Sequence, residues 1–430
     1  MTHFGIICPT SSGHLNTILP LGYELKKRGH QVTVVAVLDA KQKTMAAGLE
    51  FQAIAENECP IGSTAESFAL LGELSGFAAL QYTIKLLADG ATRNLQYLPQ
   101  AIKKAGIEAL LIDQVTSEGE TVAEYLDIPF ITVCSAVILD RDANIPPHFT
   151  LWQYSPTWWG RLRNQLTYQI LNRVAKPIGN AIAQYRQEWN LPLHSHPDDG
   201  YSPLAQLSQQ PAEFEFPRQK LPKSFHFTGP YHTTASREAV TFPWEKLTGQ
   251  PLIYASMGTM QNRLMGVFEK IAAACVELDA QLVISLGGSA KPESLPKLPG
   301  NPLVVEYAPQ LELLQKAALT ITHAGMNTTL ESLTNGVPMV AIPVANDQPG
   351  IAARIAWTGA GEVIPLGKLS VERLRKAVKG VLTEDSYKKN ALRLQEAIKL
   401  AGGVNKAADI IEEAISASKP MLATSAFHLF

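Results

Sequence analysis

Short apolar runs alternate with segments of helical spacing in both halves of the chain. The runs HFGIIC, QVTVVAV, ALLID and FITVC lie in the first 134 residues, and LNTILPLGYELKKRG is one of the helical segments between them. The runs PLIYAS, QLVISL, PLVVE, LTIT and PMVAI repeat the rhythm between residues 251 and 342. Apolar runs of this length joined by helices are typical of parallel sheets covered on both faces. We predict an α/β protein with two Rossmann-like, doubly wound parallel sheets.

The rhythm is lost in the Pro-rich and aromatic sequence of residues 140–240. A chain of 430 residues also exceeds the size at which one core keeps growing, about 250–300 residues. We therefore place a linker near residues 230–245, between an N-terminal domain at 1–235 and a C-terminal domain at 245–403. Residues 404–430 predict a helix and an apolar tail that pack back on the N-terminal domain. Ligands of doubly wound folds lie beyond the carboxyl ends of the strands, here in a cleft between the domains.

Composition limits the classes of partner. Lys and Arg number 37 against 39 Asp and Glu, a formal net charge of -2, so no global field gathers nucleic acid or an anionic membrane. No apolar run approaches about 20 residues, and the N-terminus MTHFGIICPT has no basic segment, so we predict neither a membrane span nor a signal peptide. The four cysteines lack CxxC spacing and are interpreted as reduced thiols. We expect a cytoplasmic protein and leave peripheral contact with a membrane open.

The segment after the run LTIT carries small and polar residues where a parallel strand delivers a ligand-binding loop. Residues 325–333 predict a helix that ends before Gly336. Its first N–H groups and its dipole favour a phosphate, and Asn327 and Thr328 add side-chain donors. Glu331 lies one turn further on the same face and suits the hydroxyls of a ribose. The pattern predicts a nucleotide with its diphosphate at the helix tip, and a capped core helix with a surface Glu is the alternative.

Residues 307–348, YAPQLELLQKAALTITHAGMNTTLESLTNGVPMVAIPVANDQ, resemble the signature of the family 1 UDP-glycosyltransferases, inverting enzymes of the GT-B architecture. The resemblance implies that Tyr307 stacks on uracil and that Glu331 accepts the ribose hydroxyls, near Gln310. It assigns Asp347 and Gln348 to the donor sugar. It further implies a metal-independent enzyme without a cofactor, with a UDP-hexose as donor and UDP-glucose as the default.

The phosphate contacts follow from the same resemblance. His323, Asn327 and Thr328 would hold the diphosphate, and the string SMGT at residues 256–259 matches a Ser-x-Gly-Thr that ends a strand in the family. The complete set implied for the UDP-sugar is Ser256, Gly258, Thr259, Tyr307, Ala308, Gln310, His323, Gly325, Asn327, Thr328, Glu331, Asp347 and Gln348.

The chain departs from the plant form of this signature at two positions. Tyr307 and Met326 stand where plant members have Trp, and the segment before His323 is shorter. Both departures favour a bacterial member of the family, and they leave the donor sugar less defined than the uridine.

The first loop of the chain carries the candidate base. Residues 11–30, SSGHLNTILPLGYELKKRGH, resemble the family's first loop, in which a His follows the Gly at the end of a strand, and that His is His14. Imidazole, with a pKa of about 6.5, takes a proton near neutral pH when its tautomer is fixed. The family's orienting Asp corresponds to Asp113 in ALLIDQVTSE, which we expect at a strand end of the same sheet. A structural role for His14 as a cap of the following helix is the alternative.

Two short motifs offer metal sites as alternatives. Asp140-Arg141-Asp142 matches the Asp-x-Asp of metal-dependent transferases, and His194-Ser195-His196 would pair on a metal. Neither has a third ligand nearby in sequence, and their turn-forming surroundings predict solvated loops. The first strand leads to PTSSGH and not to GxGxxG, which argues against a dehydrogenase. A UDP-sugar-binding protein without transferase activity is an alternative from another class.

The acceptor is the least defined part of the prediction, which is transfer of a hexose to a hydroxyl of a small, largely apolar molecule. Residues 154–187 combine aromatics with the cations Arg161, Arg163, Arg173, Lys176 and Arg186. Such a segment suits an amphipathic surface for a membrane-dissolved acceptor, such as a carotenoid, a sterol or another lipid, or else a helix packed inward, which we favour. The aromatics that suggest an apolar acceptor pocket are Phe68, Phe77, Tyr82, Trp152 and Trp158. The sequence leaves the acceptor's identity and the oligomeric state open.

Overall fold

The computed structural model of the protein describes residues 1–232, 240–259, 264–288 and 290–423. Part of the predicted linker, residues 233–239, and the end of the apolar tail lie outside these ranges. The described residues form two parallel sheets with helices packed against them, so the prediction of two doubly wound α/β domains is confirmed.

The first sheet contains seven parallel strands. They are β1 (His3–Ile7), β2 (Gln31–Ala36), β3 (Glu50–Ala53), β4 (Ala109–Asp113), β5 (Phe130–Cys134), β6 (Gln206–Ser208) and β7 (Phe225–Phe227). The helices of this part of the chain are α1 (Ser12–Lys27), α2 (Lys41–Ala46), α3 (Ser63–Leu71), α4 (Gly76–Ala105), α5 (Glu118–Leu126), α6 (Trp158–Val174) and α7 (Lys176–Glu188). The strands pair in the order β3-β2-β1-β4-β5-β6-β7. The order changes direction between β1 and β4, which opens a crevice at their carboxyl ends.

The second sheet contains six parallel strands. They are β8 (Leu252–Ser256), β9 (Gln281–Ser285), β10 (Leu303–Val305), β11 (Ala317–Thr322), β12 (Met339–Ala341) and β13 (Gly361–Val363). The helices are α8 (Met265–Cys275), α9 (Gln310–Leu314), α10 (Met326–Thr334), α11 (Gln348–Thr358), α12 (Val371–Thr383), α13 (Asp385–Ala401) and α14 (Gly403–Ala417). The strand order is β10-β9-β8-β11-β12-β13, so the corresponding crevice lies between β8 and β11.

Burial explains why the apolar runs of the sequence form these strands. Every residue of β1, β4 and β8 is buried, because helices cover both faces of each sheet. The predicted helix after LTIT is also confirmed: α10 follows Gly325, ends at Thr334, and is succeeded by Gly336 with a φ of +61°. None of the helices in the described residues combines the length and the apolar character that a membrane span requires.

The C-terminal end of the chain returns to the first domain. α14 packs on α1, where Nη1 of Arg28 lies 2.7 Å from a carboxylate oxygen of Asp409 and 2.7 Å from one of Glu412. Ile411 is buried in the core that lies against the first sheet. The main-chain N–H of Gly403 donates to the carbonyl of Thr228 at 2.6 Å, where the chain crosses back.

The two domains contact each other along the rim of the cleft. The N–H of Gly76 donates to the carbonyl of Val344 at 3.3 Å, and Oγ1 of Thr83 donates to Oδ1 of Asn346 at 3.1 Å. α3 and the start of α4 thus lie against the loop that follows β12, and Leu71 packs into the core of the second domain.

A buried ion pair also joins the domains. Nε of Arg354 in α11 donates to Oε2 of Glu215 at 3.1 Å, and both side chains are buried. Two charges without water are stable only when each is paired and hydrogen bonded, so this contact fixes the position of α11 against the first domain.

Candidate active site

A cavity of about 860 Å³ lies between the carboxyl edges of the two sheets. The first domain contributes the start of α1, and the second contributes the loops after β8 and β11 and the first turn of α10. Every residue that the sequence predicts for catalysis or for binding the UDP-sugar lines this cavity except Asp113, which hydrogen bonds to His14 from the interior of the first domain. The structure therefore brings the predicted residues of both domains into one site.

His14, Asp113 and Ser135 form a hydrogen-bonded group on the first domain's side of the cavity. β4 ends at Asp113, Ser135 follows β5, and His14 lies in the first turn of α1 after β1, so three neighbouring strands deliver the group. Nδ1 of His14 lies 2.8 Å from Oδ2 of Asp113 and 2.7 Å from Oγ of Ser135, whose hydroxyl also donates to Asp113. An imidazole that donates through Nδ1 keeps a lone pair on Nε2, as a general base requires.

The surroundings of His14 favour a proton on its ring. Burial lowers the pKa of His14, but the charge of Asp113, the hydrogen bond to it and the charge of Asp347 together raise that pKa above its ordinary value. The side chain of His14 is 22% exposed, whereas that of Asp113 is fully buried and shielded from water. The N-cap of α1 is Ser11, and His14 lies inside the helix with Nδ1 bonded to Asp113 and Ser135, so His14 is not the cap of α1.

His323 lies on the second domain's side of the cavity, between two glycines. It follows β11, which pairs with β8, so the loops after these strands run side by side. A Cβ placed on Gly258 or on Gly325 would lie 2.5 Å from Nε2 of His323. Only residues without a side chain leave room for the imidazole there. Burial lowers the pKa of His323 to about 4, so the ring is neutral near pH ~7 and acts as a hydrogen-bonding group without a charge.

The first turn of α10 faces the cavity. Gly325, Met326, Asn327 and Thr328 all line it. The N-cap residue of this helix, Gly325, has no side chain with which to cap it. The first N–H groups of a helix have no partner within the helix, and its dipole adds a partial positive charge. The start of α10 is therefore suited to an anionic group such as a diphosphate.

Glu331 is held in one orientation by a chain of hydrogen bonds. Nε2 of Gln310 donates to Oε2 of Glu331 at 2.5 Å and to Oγ1 of Thr328 at 3.3 Å, and the hydroxyl of Tyr254 donates to Oε1 of Gln310 at 3.0 Å. Glu331 is buried, whereas Tyr307 is half-exposed at the edge of the cavity. A fixed carboxylate beside an aromatic ring suits a nucleoside, whose hydroxyls donate and whose base stacks.

Asp347 and Gln348 lie at the start of α11 and meet the first domain. Oε1 of Gln348 accepts from the N–H groups of Val344 at 2.9 Å and Ala345 at 3.1 Å, which fixes the loop after β12. Oδ2 of Asp347 accepts from the N–H of Val137 in the first domain at 3.4 Å, and burial raises the pKa of Asp347. The two side chains predicted to reach the donor sugar thus stand between the second domain and the imidazole of the first.

Asn327 connects α10 to the first domain. Its Nδ2 donates to the carbonyl of Gly13 at 2.8 Å, and its Oδ1 accepts from Oγ1 of Thr17 at 3.0 Å and from Nε2 of Gln209 at 3.0 Å. The amide predicted to hold phosphate therefore also bonds directly across the domain boundary, a contact that no sequence pattern predicts.

The first domain lines its part of the cavity with both apolar and polar side chains. The apolar ones include Leu71, Leu80, Ile84, Leu171, Ile178 and Ile182, and the charged ones include Arg141, Lys176 and Arg186. Of the aromatics predicted for this pocket, Phe68 lines the cavity, whereas Phe77 and Trp158 are exposed. Tyr82 packs against the second domain's core, and Trp152 lies under a guanidinium of α6. Only Phe68 of the five lines the cavity, so the prediction of the pocket aromatics was wrong for the other four, because composition does not say which face of a helix is buried.

Comparison with known proteins identifies the family. The family model described as UDP-glucoronosyl and UDP-glucosyl transferase matches residues 6–399. This chain belongs to that family. It is a glycosyltransferase, so the alternative of a binding protein without transferase activity is not retained.

Two named relatives of this UDP-glycosyltransferase match over nearly their whole length. It is 31% identical over 429 residues to the zeaxanthin glucosyltransferase of Pantoea ananas, covering 99% of each chain. It is 28% identical over 425 residues to the zeaxanthin glucosyltransferase of Pseudescherichia vulneris, covering 97% of this chain and 99% of the relative.

Solved glycosyltransferases share the fold. The kitacinnamycin glycotransferase matches with a TM-score of 0.75 at 23% identity, over 96% of this chain and 99% of that one. CalG4, the calicheamicin glycosyltransferase, matches with a TM-score of 0.74 at 20% identity, over 98% of this chain and 100% of that one. The two-domain GT-B architecture implied by the sequence is therefore confirmed.

The Asp-x-Asp motif of this UDP-glycosyltransferase is structural. Oδ1 of Asp142 accepts from the N–H of Asn144 at 2.9 Å, and Oδ2 accepts from the N–H of Gln219 at 2.8 Å. Asp140 is buried against Gln114, and burial raises the pKa of Asp140 to about 7. The expectation of a solvated loop was wrong, because main-chain donors fold around these carboxyl groups.

The two histidines of the other metal alternative point to separate partners. Nε2 of His194 lies 3.1 Å from Oε2 of Glu120, while Nδ1 of His196 accepts from the N–H of Asp198 at 3.2 Å. Within the described residues, no group of three or more His, Cys, Asp or Glu side chains is placed to hold a metal ion.

Three residues of the site were not predicted from the sequence. Ser135 and Gln209 follow β5 and β6 directly, so the rule that ligand-binding residues follow the carboxyl ends of parallel strands could have found them. Tyr254 lies inside β8, where its apolar ring suits the core, and nothing in the local pattern shows that its hydroxyl reaches Gln310.

Proposed function

We propose that this enzyme transfers glucose from UDP-glucose to a hydroxyl of a small, largely apolar acceptor, and that the acceptor is a carotenoid. The observation that carries the proposal is the cavity in which the His14–Asp113 pair faces the start of α10. The acceptor class is supported by the apolar lining of the first domain and by two relatives named for the glucosylation of zeaxanthin. The same relatives support glucose as the sugar.

The donor would bind to the second domain. Tyr307 offers a ring for uracil, and Glu331, already held by Gln310, would accept bonds from the ribose hydroxyls. The diphosphate would lie at the start of α10, within reach of His323. This arrangement places the sugar at the centre of the cavity, beside Asp347 and Gln348.

The acceptor would bind to the first domain with its hydroxyl at His14. Nε2 of His14 removes the proton from this hydroxyl while Nδ1 donates to Asp113, which stabilises the imidazolium that forms. The acceptor oxygen then forms a bond to the anomeric carbon as the bond from that carbon to the phosphate oxygen breaks. The two oxygens stand on opposite sides of the carbon, because base and diphosphate site belong to opposite walls of the cavity, so the configuration inverts.

UDP leaves with the electron pair of the broken bond. The negative charge that develops on its phosphate oxygens is stabilised by the N–H groups of α10 and by the neutral ring of His323. These donors belong to the chain itself, which supports a reaction that needs no metal ion. We further propose that the enzyme works in the cytoplasm, in peripheral contact with the membrane that dissolves its acceptor.

The test is a transfer assay with the purified enzyme, UDP-glucose and zeaxanthin dispersed in detergent, with products analysed by mass spectrometry. We expect a mono- or diglucoside, a β-linkage in the anomeric proton coupling, and the same rate with and without EDTA. His14→Ala should abolish transfer while calorimetry still shows UDP binding. An α-linked product, an EDTA-sensitive rate, or an Ala variant that keeps most of its turnover would contradict the corresponding part of the proposal.

A further inference from the structure

α6 exposes a continuous stripe of large apolar side chains. Trp158, Trp159, Leu162, Leu166 and Ile170, here called the α6 stripe, are between 38% and 65% exposed. At 3.6 residues per turn they fall within an arc of about 120° on one side of the helix. The residues buried on the opposite side are Gly160, Asn164 and Leu171. α6 therefore packs one face inward, as the favoured interpretation expects, and also exposes an apolar face, as the alternative expects.

The charged residues of α6 and of the chain on either side of it have one sign. No Asp or Glu occurs between Asp142 and Glu188 in the sequence. Arg161, Arg173 and Lys176 are exposed in or next to α6. The whole chain has a formal charge of -2, so this cationic face is a local feature. Exposed tryptophans bordered by arginine and lysine are typical of helices that lie in the interface of an anionic bilayer.

The buried face of α6 belongs to the acceptor side of the cavity. Tyr168 and Leu171 of α6 line the cavity, as do Ala175, Ile178 and Ile182, which follow in the chain. One layer of helix therefore separates the α6 stripe from the apolar part of the site. If the stripe contacts a bilayer, an acceptor dissolved in that bilayer is close to the part of the cavity in which it would react.

We propose that the α6 stripe docks this enzyme on an anionic lipid bilayer. The apolar side chains enter the interface, and Arg161 and Arg173 attract the acidic headgroups. A second copy of the chain is a poorer occupant, because two stripes packed face to face would bring like charges together. The inference rests on the proposed function in one respect only. An apolar acceptor dissolved in the membrane is the reason for the enzyme to bind there.

Vesicle flotation of the full chain tests the proposal directly. We expect the protein to float with vesicles of phosphatidylcholine and phosphatidylglycerol, to float less with phosphatidylcholine alone, and to be released by high salt. Trp158→Ser with Trp159→Ser, or Leu166→Ser with Ile170→Ser, should lower the bound fraction about tenfold or more. Arg161→Glu with Arg173→Glu should abolish the preference for the anionic lipid.

The matched control is Met45→Ser with Leu400→Ser, since these side chains are equally exposed but lie outside α6. This variant should float like the wild type. Wild-type protein that stays at the bottom of the gradient, or control and stripe variants that float equally, would overturn the proposal. A dimer seen by light scattering would also overturn the proposal, if the substitutions in the stripe dissociate it and the wild-type protein does not float.

A second readout separates this inference from the proposed acceptor. The stripe variants should keep wild-type transfer to a water-soluble phenolic acceptor and lose transfer to zeaxanthin embedded in vesicles, because their active site is unchanged. If zeaxanthin is no acceptor and flotation persists, the acceptor proposal fails and the docking proposal stands. If zeaxanthin in detergent is glucosylated and the wild-type protein does not float, the docking proposal fails and the acceptor proposal stands.

Discussion

Asn327 donates through Nδ2 to the carbonyl oxygen of Gly13, 2.8 Å away and one residue before His14. The first turn of the helix proposed to bind the donor is thereby bonded to the loop that carries the proposed base. A direct hydrogen bond across the domain boundary would thus set the distance between base and donor. In a reaction that needs the acceptor oxygen and the anomeric carbon in line, such a fixed distance contributes to the rate.

Two substitutions at this contact separate its two roles. Asn327→Ala removes both the bridge and a donor to the diphosphate, whereas Thr17→Val removes only one hydroxyl that bonds to Asn327. We expect UDP affinity, measured by calorimetry, to fall about tenfold in Asn327→Ala and to change little in Thr17→Val. Equal losses in both variants would show that Asn327 acts only between the domains.

The acidic limb of the pH profile should report His14. The proposed mechanism requires a neutral His14 ring. Burial lowers the pKa of His14, but the charge of Asp113 raises it above the ordinary value. The rate constant kcat/KM should therefore fall as the pH drops through that raised pKa. In Asp113→Asn the raising charge is absent, so the limb should move to lower pH. At high pH the rate should still be lower by about 10²- to 10⁴-fold, because the tautomer is no longer fixed. An acidic limb at the same pH in Asp113→Asn and in wild type would show that Asp113 does not raise the pKa of His14.

Gly325→Ala should weaken donor binding. The added methyl group would lie 2.5 Å from Nε2 of His323, so the imidazole must leave its place beside α10. The φ of Gly325 is -68°, which alanine adopts without strain, so the effect isolates the side-chain clash. We expect the Kd of UDP to rise about tenfold, with the Tm nearly unchanged. Gly367→Ala, with open space around its Cβ, is the control and should bind UDP normally.

Glu331→Gln should reduce the enzyme's ability to distinguish ribose from deoxyribose. In the proposed donor complex the wild-type carboxylate, held by Gln310 at 2.5 Å, would accept bonds from ribose hydroxyls, and a neutral amide would accept them less well. We expect wild-type enzyme to bind UDP about tenfold more tightly than dUDP and the variant to bind both alike. A variant that keeps the preference would place the ribose elsewhere.

Arg354→Met should destabilise the fold. Burial raises the pKa of Glu215, but the charges of Arg354 and Arg218 lower it by more than burial raises it. The pKa of Glu215 therefore lies below its ordinary value. Such a carboxylate stabilises the fold above its unfolded pKa, and that stability is lost as the pH falls through the folded pKa. Denaturant unfolding at neutral pH should therefore show a loss of about 3–5 kcal/mol in the variant.

The difference between wild type and Arg354→Met should shrink on acidification, because Glu215 becomes neutral in both proteins. The control is Arg375→Met, whose guanidinium lies 3.6 Å from the exposed Glu277. That variant should lose less than about 1 kcal/mol. Equal losses in the two variants would show that the buried pair makes no special contribution.

The strands and the donor helix were predictable because their signals are local. An apolar run such as ALLID must be buried on both faces, and the helix at Met326–Thr334 has a glycine on each side. His14 and Asp113 were found through the resemblance, and the rule on strand ends explains why residues separated by 99 positions meet.

Contacts between the domains could not be predicted, because no local pattern encodes how two domains face each other. The bond from Asn327 to Gly13 and the ion pair of Arg354 with Glu215 belong to this class. Which face of α6 packs inward could not be predicted either, because the segment carries apolar residues on more than one side. Leu171 packs against the protein, whereas Leu166 is exposed.

The crossing of the chain near Thr228 and Gly403 has a mechanical consequence. The carbonyl of Thr228 accepts the N–H of Gly403, so the outgoing and returning passages lie side by side at this point. Two connections that lie side by side resist twisting and sliding of one domain against the other. They permit rotation of the domains about the line on which both connections lie. Release of product and entry of a fresh donor are therefore expected to proceed by one hinge rotation that widens the gap at the side opposite these passages.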